Sequence, residues 1–246
     1  MDTTTYVGLS RLVALQRQTE MTAHNIANAN TPGFKAARML FSDYLVTQRR
    51  VAQPAEARTV QFVQDRGTHR DFAPARMQKT ANPLDIALGA EGFLVFATDR
   101  GERYGRNGRL ALDPDGRLVG ADGSPVLSEA GTPIVLSPVD SRITIAPDGT
   151  VSTENGEVGR LRVVRFQDPQ ALKAEGANLF SAEEAPVAVA EPKIAQGMVE
   201  DANVEPVIEL VTLMTQLREF QFTAQLVEQE GERRAQAIER LTRRRA

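Results

Sequence analysis

Apolar positions change their period twice along this chain. From residue 4 to 28, Leu12, Leu15, Thr19, Thr22 and Ile26 recur three and four apart, with Leu9, Val13 and Met21 widening the stripe, which predicts an amphipathic helix. The helix must stop near Asn30, because Pro32 pushes its predecessor out of the α region and Pro32-Gly33 favours a type II turn. From Pro206, a natural first-turn residue, Leu210, Leu213, Leu217, Phe220, Ala224, Val227, Gly231, Arg234, Ile238 and Leu241 trace a second seam at the same spacing.

Between the two seams the period is two. "LALDPDGRLV" (Leu110 to Val119) and "ITIAPDGTVS" (Ile143 to Ser152) share one layout, alternation broken by Pro-Asp-Gly, in which Pro presets the turn and Gly supplies a positive φ. Asn107-Gly108, Asp122-Gly123 and Asn155-Gly156 add turns, so residues 82–185 read as a compact domain of short antiparallel strands and hairpins. Residues 1–35 form the N-terminal helix with an asparagine-rich turn, and 204–246 the C-terminal helix. Residues 36–81, charged and interrupted by Pro54 and Pro74, read as an extended arm with "TVQFV" as its one strand, and 186–203, rich in Ala, Glu and Pro, as a return linker. The fold class is α+β, mainly β, with long helices at both ends.

Packing sharpens the reading of those ends. The apolar side chains of the C-terminal seam, buried on one side, do not obviously offset the entropy of ordering so long a helix, and Val207, Val211, Met214 and Leu226 lie off the stripe that one partner helix could cover. Neighbouring copies are the expected source of the missing contacts.

Composition removes alternatives. A net charge of −3 and a pI near 5.6 give no basic excess for nucleic acid, and with no cysteine there is neither disulfide nor thiolate chemistry. Aromatics at 5% and the absence of Trp argue against a deep ligand pocket. "DPDGRLVGADG" offers Asp113, Asp115 and Asp122 as oxygen donors, but Arg117 stands where a calcium loop needs a ligand and no Glu closes it, so hairpin turns are the better reading. His24 and His69 lack partners at ligand spacing, and no nucleophile elbow, phosphate loop or acid–base cluster is present. No catalytic residue, metal or cofactor is expected, and the terminal arginines read as a solvated helix end. No apolar run is long enough to span a membrane, and the first residues lack the features of a cleaved leader.

One stretch asks for more than a helix stop: "HNIANANTPGFKA", His24 to Ala36. Asn25 and Asn28 share a helix face, and amides there can bridge to neighbouring backbone through donor and acceptor alike, while Phe34 just after the turn is a candidate anchor in an adjacent subunit. This stretch resembles the N-terminal signature of the bacterial flagellar axial proteins, its places filled by Asn25, Ala27, Asn28, Thr31, Gly33, Phe34 and Lys35. "NPLDIALGAEGFLVF", "RYGRNGRLALDPDGRLVGADGSPVL" and "NVEPVIELVTLMTQLREFQF" are similar to the central and C-terminal signatures of the rod and hook group, so the likeness spans nearly the whole chain. Its length, "ITIAPDGTVS" and "VGRLRVVRFQDPQALKAEGANLF" look most like the proximal-rod members.

The resemblance implies a non-enzymatic subunit of the basal-body rod crossing the periplasm, with both ends paired as a coiled-coil-like inner domain and the β domain outside. Implied partners are other copies of itself, other rod proteins and the flagellar type III export apparatus, which would carry it without a cleaved signal peptide; nucleic acid and direct membrane insertion are not implied. The expected assembly residues are Leu12, Leu15, Asn25, Ile26, Asn28, Thr31, Gly33, Phe34, Leu210, Leu213, Leu217, Phe220, Val227, Ile238 and Leu241. Competing readings are a distal-rod or hook-related member of the same group, a β-rich extracellular hydrolase, and a monomeric binding module using the C-terminal stripe.

Overall fold

The computed structural model describes residues 3–48, 58–89, 91–137, 140 and 142–243. In chain order these form α1 (Thr3–Ala27), β1 (Ala37–Gln48), β2 (Arg58–Arg70), β3 (Met77–Lys79), β4 (Ile86–Leu88), β5 (Phe93–Thr98), β6 (Gly101–Gly105), β7 (Ala111–Leu112) and β8 (Leu118–Val119). There follow β9 (Thr144–Ile145), β10 (Thr150–Thr153), β11 (Gly156–Arg160), β12 (Val163–Arg165), β13 (Lys173–Gly176), β14 (Leu179–Ser181), β15 (Val187–Ala188), β16 (Ile194–Gln196), β17 (Met198–Glu200) and α2 (Pro206–Arg243). The mixed α and β content agrees with the class expected from the sequence.

The chain divides into two compact units: residues 1–27, 37–70 and 205–246 make one, and residues 28–36 and 71–204 the other. In the first, α1 packs along α2 and against β1 and β2. Gly8 of α1 faces Val227 of α2, and Arg11 reaches Glu219, so the helices run antiparallel. On α1, Gly8, Leu15 and Thr22 are buried, with Leu12, Thr19 and Ile26 half-buried between them, so the stripe read from the sequence is the one that turns inward.

α2 differs. Its inward positions are Leu213, Gln216, Phe220, Thr223 and Val227, with Gln216 and Thr223 the most buried. Leu210 and Leu217, which the sequence placed on the seam, are each 44% exposed. The helix has more apolar positions than one partner can cover, and the surplus turns outward.

The segment expected as an extended arm is a two-stranded antiparallel hairpin, β1 on β2, paired from Ala37↔Arg70 to Gln48↔Arg58 with a bulge at Leu40/Phe41. At about 3.4 Å per residue each strand is roughly 40 Å long. Pro54 falls outside the described residues.

The second unit is built around a six-stranded antiparallel sheet, order β13-β14-β6-β5-β12-β15. Its middle strand carries the continuous apolar run Phe93–Leu94–Val95–Phe96, buried on both faces: Leu94 and Phe96 join Ile86, Leu118, Val151 and Leu161 in the larger core, whereas Phe93 and Val95 join Tyr104, Phe166 and Phe180 in an edge-to-face aromatic cluster. The two Pro-Asp-Gly loops repeat one hydrogen-bond pattern. Asp113 N–H donates to the Arg117 carbonyl and Gly116 N–H to the Asp113 carbonyl, as Ala146 N–H does to Thr150 and Gly149 N–H to Ala146. Asp113 and Asp148 spend their carboxylates on backbone amides of these same turns, which is the hairpin reading in atomic form.

Two expected boundaries shift. The segment taken for a return linker is folded in, because Ile194 and Val199 are buried and β16 pairs with β4 and β17 with β3. Residues 28–35, expected to belong with the N-terminal helix, group with the β-rich unit.

Two glycines give opposite tests of the helices. A Cβ on Gly8 would lie 2.5 Å from Val227 Cγ2, whereas one on Gly231 would meet nothing. Gly8→Leu should therefore lower the melting of the helical signal followed by circular dichroism, and Gly231→Ala should stabilise α2 by about 1 kcal/mol.

Candidate assembly interface

The signature turn is built from backbone rules. Phe34 N–H donates to the Thr31 carbonyl, and Gly33 takes φ +67°, a conformation free of penalty only for glycine. A Cβ there would also lie 2.4 Å from the Arg106 carbonyl group. Gly33 N–H donates to the Glu200 carbonyl (2.7 Å), and Asn178 Nδ2 donates to the Pro32 carbonyl (3.3 Å). Thr31 Oγ1 donates to Asn28 Oδ1, closing the turn after α1.

Lys35 enters a buried ionic cluster. Its Nζ donates to Glu200 Oε1 (2.8 Å) and to the Ala73 carbonyl (2.6 Å), while Arg106 Nε donates to Glu200 Oε2 (2.8 Å) and its Nη1 to the Gly92 carbonyl (2.8 Å). Ala75 N–H adds a third donor to Glu200. All three charged side chains are almost completely buried. Burial pushes the Glu200 carboxyl up, but Arg106, Lys35 and the Ala75 amide together hold it below the usual carboxylate range. Burial dominates at Lys35 and lowers its ammonium, with Glu200 opposing in part.

Asn25, expected at the assembly interface, uses its amide at both ends within its own chain: Nδ2 donates to the Ala37 carbonyl (3.0 Å) and Oδ1 accepts from Ala37 N–H (3.1 Å). Phe34, expected to anchor in an adjacent subunit, is 3% exposed and packs on Ala36 and Val204 of its own chain. Asn203 fixes that contact by donating its N–H to the Phe34 carbonyl and accepting from Ala36 N–H.

The remaining expected residues fall into two groups. Leu15 is buried and Leu12, Ile26, Leu213, Phe220 and Val227 are half-buried in the helix-pair unit, with Val227 against Gly8, whereas Leu210 and Leu217 are exposed. The side chains of Ile238 and Leu241 lie outside the described residues. Beside Leu210 and Leu217, α2 exposes Val207 (74%), Val211, Met214 and Phe222, and α1 exposes Tyr6, Leu9 and Val13. Glu200 and Arg106 were missed from sequence; the available signal was a lone acid ending the apolar strand Met198–Glu200. Among the described residues no group of acidic or histidine side chains could hold a metal.

The comparisons with known proteins follow these elements. Residues 6–35 match the family described as Flagella basal body rod protein, residues 87–153 the Flagellar hook protein FlgE/F/G D1 domain, and residues 195–240 the Flagellar basal body rod FlgEFG protein C-terminal. The chain is 38% identical to the flagellar basal-body rod protein FlgF of Caulobacter vibrioides over 98% of each chain. It is 32% identical to FlgF of Salmonella typhimurium, over 98% of this chain and 99% of that one. FlgG of Borreliella burgdorferi is 29% identical, with 91% and 92% covered.

The chain belongs to the flagellar basal-body rod proteins, a family of structural subunits and not of enzymes. Within that family it is FlgF-like, and its place is the rod of the basal body.

Replacing Glu200 by Ala strands two buried cations and should cost the β-rich unit about 3–5 kcal/mol. Because the folded carboxyl titrates below its ordinary value near 4.3, its contribution is complete above that pH and lost as pH falls through the folded value. Thermal melts should therefore weaken in acid in the wild type and lose this part of the dependence in Glu200→Gln. Phe34→Ala should lower the same melt by about 3–5 kcal/mol, the cost of a buried aromatic.

Proposed function

We propose that this chain polymerises through its terminal helices into the tubular, torque-transmitting shaft of the proximal rod, beside other rod proteins. In this reading α1 and α2 form a coiled-coil-like inner layer, and the flagellar type III apparatus exports the chain. The observation that carries it is the outward face of α2, where Val207, Leu210, Val211, Met214 and Leu217 stay exposed although α1 already covers the opposite side. A stripe of this kind on a rod subunit is best completed by further copies. Leu12, Leu15, Leu213, Phe220 and Val227 then hold the pair together, while Asn28, Thr31, Gly33 and Phe34 shape the turn that follows α1. The alternative of another rod or hook member is less favoured, since FlgF of Caulobacter vibrioides is 38% identical over 98% of this chain, against 32% over 87% for FlgG of Agrobacterium fabrum.

The double substitution Leu210→Glu with Leu217→Glu tests this. Incorporation into basal bodies, followed by immunoblotting of purified structures, should be lost while the melting of the β-rich unit is unchanged. Normal incorporation would contradict the reading.

A further inference from the structure

The sequence holds two Asn-Gly pairs, both in the β-rich unit, and the fold treats them in opposite ways. The chemistry open to such a pair is intramolecular. The backbone nitrogen of the glycine attacks the side-chain amide carbon of the asparagine before it and closes a five-membered imide, a step glycine favours because it carries no side chain to obstruct it or restrict its dihedrals. As the C–N bond forms, the side-chain nitrogen takes the proton lost by the glycine nitrogen and leaves as ammonia. Water then opens the imide at either carbonyl, giving aspartate or the isomer whose backbone runs through the side-chain carbon. One amide is lost and one carboxylate gained.

Asn107-Gly108 is closed to this reaction. Gly108 is buried, a Cβ there would lie 1.8 Å from the Ile86 carbonyl oxygen, and its own carbonyl accepts from Ile86 N–H (2.9 Å). Asn107 Oδ1 accepts from Arg109 N–H (3.1 Å). Forming the imide requires both residues to turn, and neither has room. Asn155-Gly156 instead stands at the tip of the β10–β11 hairpin, where the Thr153↔Gly156 pair closes a two-residue loop. Glu154, Asn155 and Gly156 are exposed, and a Cβ on Gly156, at φ +132°, would meet nothing. Exposed loop tips open locally at little cost, so this pair can fray and let the ring close.

The contacts of the tip set the consequence. Asn155 Nδ2 donates to Asp140 Oδ1 (2.6 Å) and Arg142 N–H donates to Glu154 Oε2 (2.9 Å), so two bonds dock the tip onto Asp140 and Arg142. Asp140 is itself fixed, its Oδ2 accepting from Ser137 N–H (2.9 Å). Deamidation replaces the donor of the first bond by a second carboxylate facing Asp140, and like charges so placed repel.

We propose that Asn155 is a self-modifying site whose deamidation, needing only water, releases the β10–β11 tip from Asp140 and gives ageing copies one more negative charge on the β-rich unit. The full chain, incubated folded and in parallel unfolded in urea at mildly alkaline pH, tests this by mass spectrometry of peptides carrying each asparagine. In the folded chain the Asn155 peptide should gain the mass of an amide-to-acid exchange and split into aspartate and isoaspartate forms, while the Asn107 peptide stays intact; in urea both should convert. An Asn155 as intact as Asn107 in the folded chain would overturn the site, and conversion of both there at one rate would overturn its selection by the fold. Asn155→Asp, made directly, should raise amide exchange at Arg142 about tenfold, the loss of one hydrogen bond to a charged group, with exchange in β5 unchanged. Unchanged exchange at Arg142 would overturn the release.

Discussion

One helix can cover only one stripe of another, and that geometric limit governs this molecule. α2 spends its inward stripe on α1, where Gly8 allows close approach and Gln216 and Thr223 are the most buried positions. Its leucine- and valine-rich face is left outside. An ordinary amphipathic helix does the reverse and reserves its best apolar residues for its own core. The proposed assembly through the terminal helices would account for the inversion: the internal contact would need only to align the two helices, and the larger burial would follow on assembly.

The signature turn plays the complementary role. Its residues are occupied within their own chain: Gly33 and Lys35 bind opposite ends of Glu200, Phe34 fills the space between Ala36 and Val204, and Asn203 closes over the backbone. A buried carboxylate with two cations is costly to dismantle one member at a time, so it fixes the geometry of the turn more than it adds stability. The chain thus keeps its most specific chemistry within itself and leaves general apolar surface exposed, the surface proposed for assembly.

Much of this was legible from spacing alone. The α1 stripe at Leu12, Leu15, Thr19, Thr22 and Ile26 is the buried one, and the two Pro-Asp-Gly loops are the same turn used twice. Three things were not. The seam of α2 lies one residue away from the leucine stripe at alternate positions, since hydrophobicity marks which side chains favour burial and not which partner covers them. The hairpin of β1 and β2 was hidden by charged residues that interrupt its alternation, and β16 and β17 by their short length. The Lys35–Glu200–Arg106 cluster joins residues far apart in sequence, and no local pattern announces a long-range ion pair.

The account is tested most directly by hydroxyl-radical footprinting of Met214, a readily oxidised side chain that is 58% exposed on the outward face of α2. Its oxidation should be fast in the dilute chain and strongly suppressed in intact basal bodies, while half-buried Met77 of the β-rich unit serves as internal reference. Equal oxidation of Met214 in both states would contradict the claim that this face is completed by neighbouring subunits.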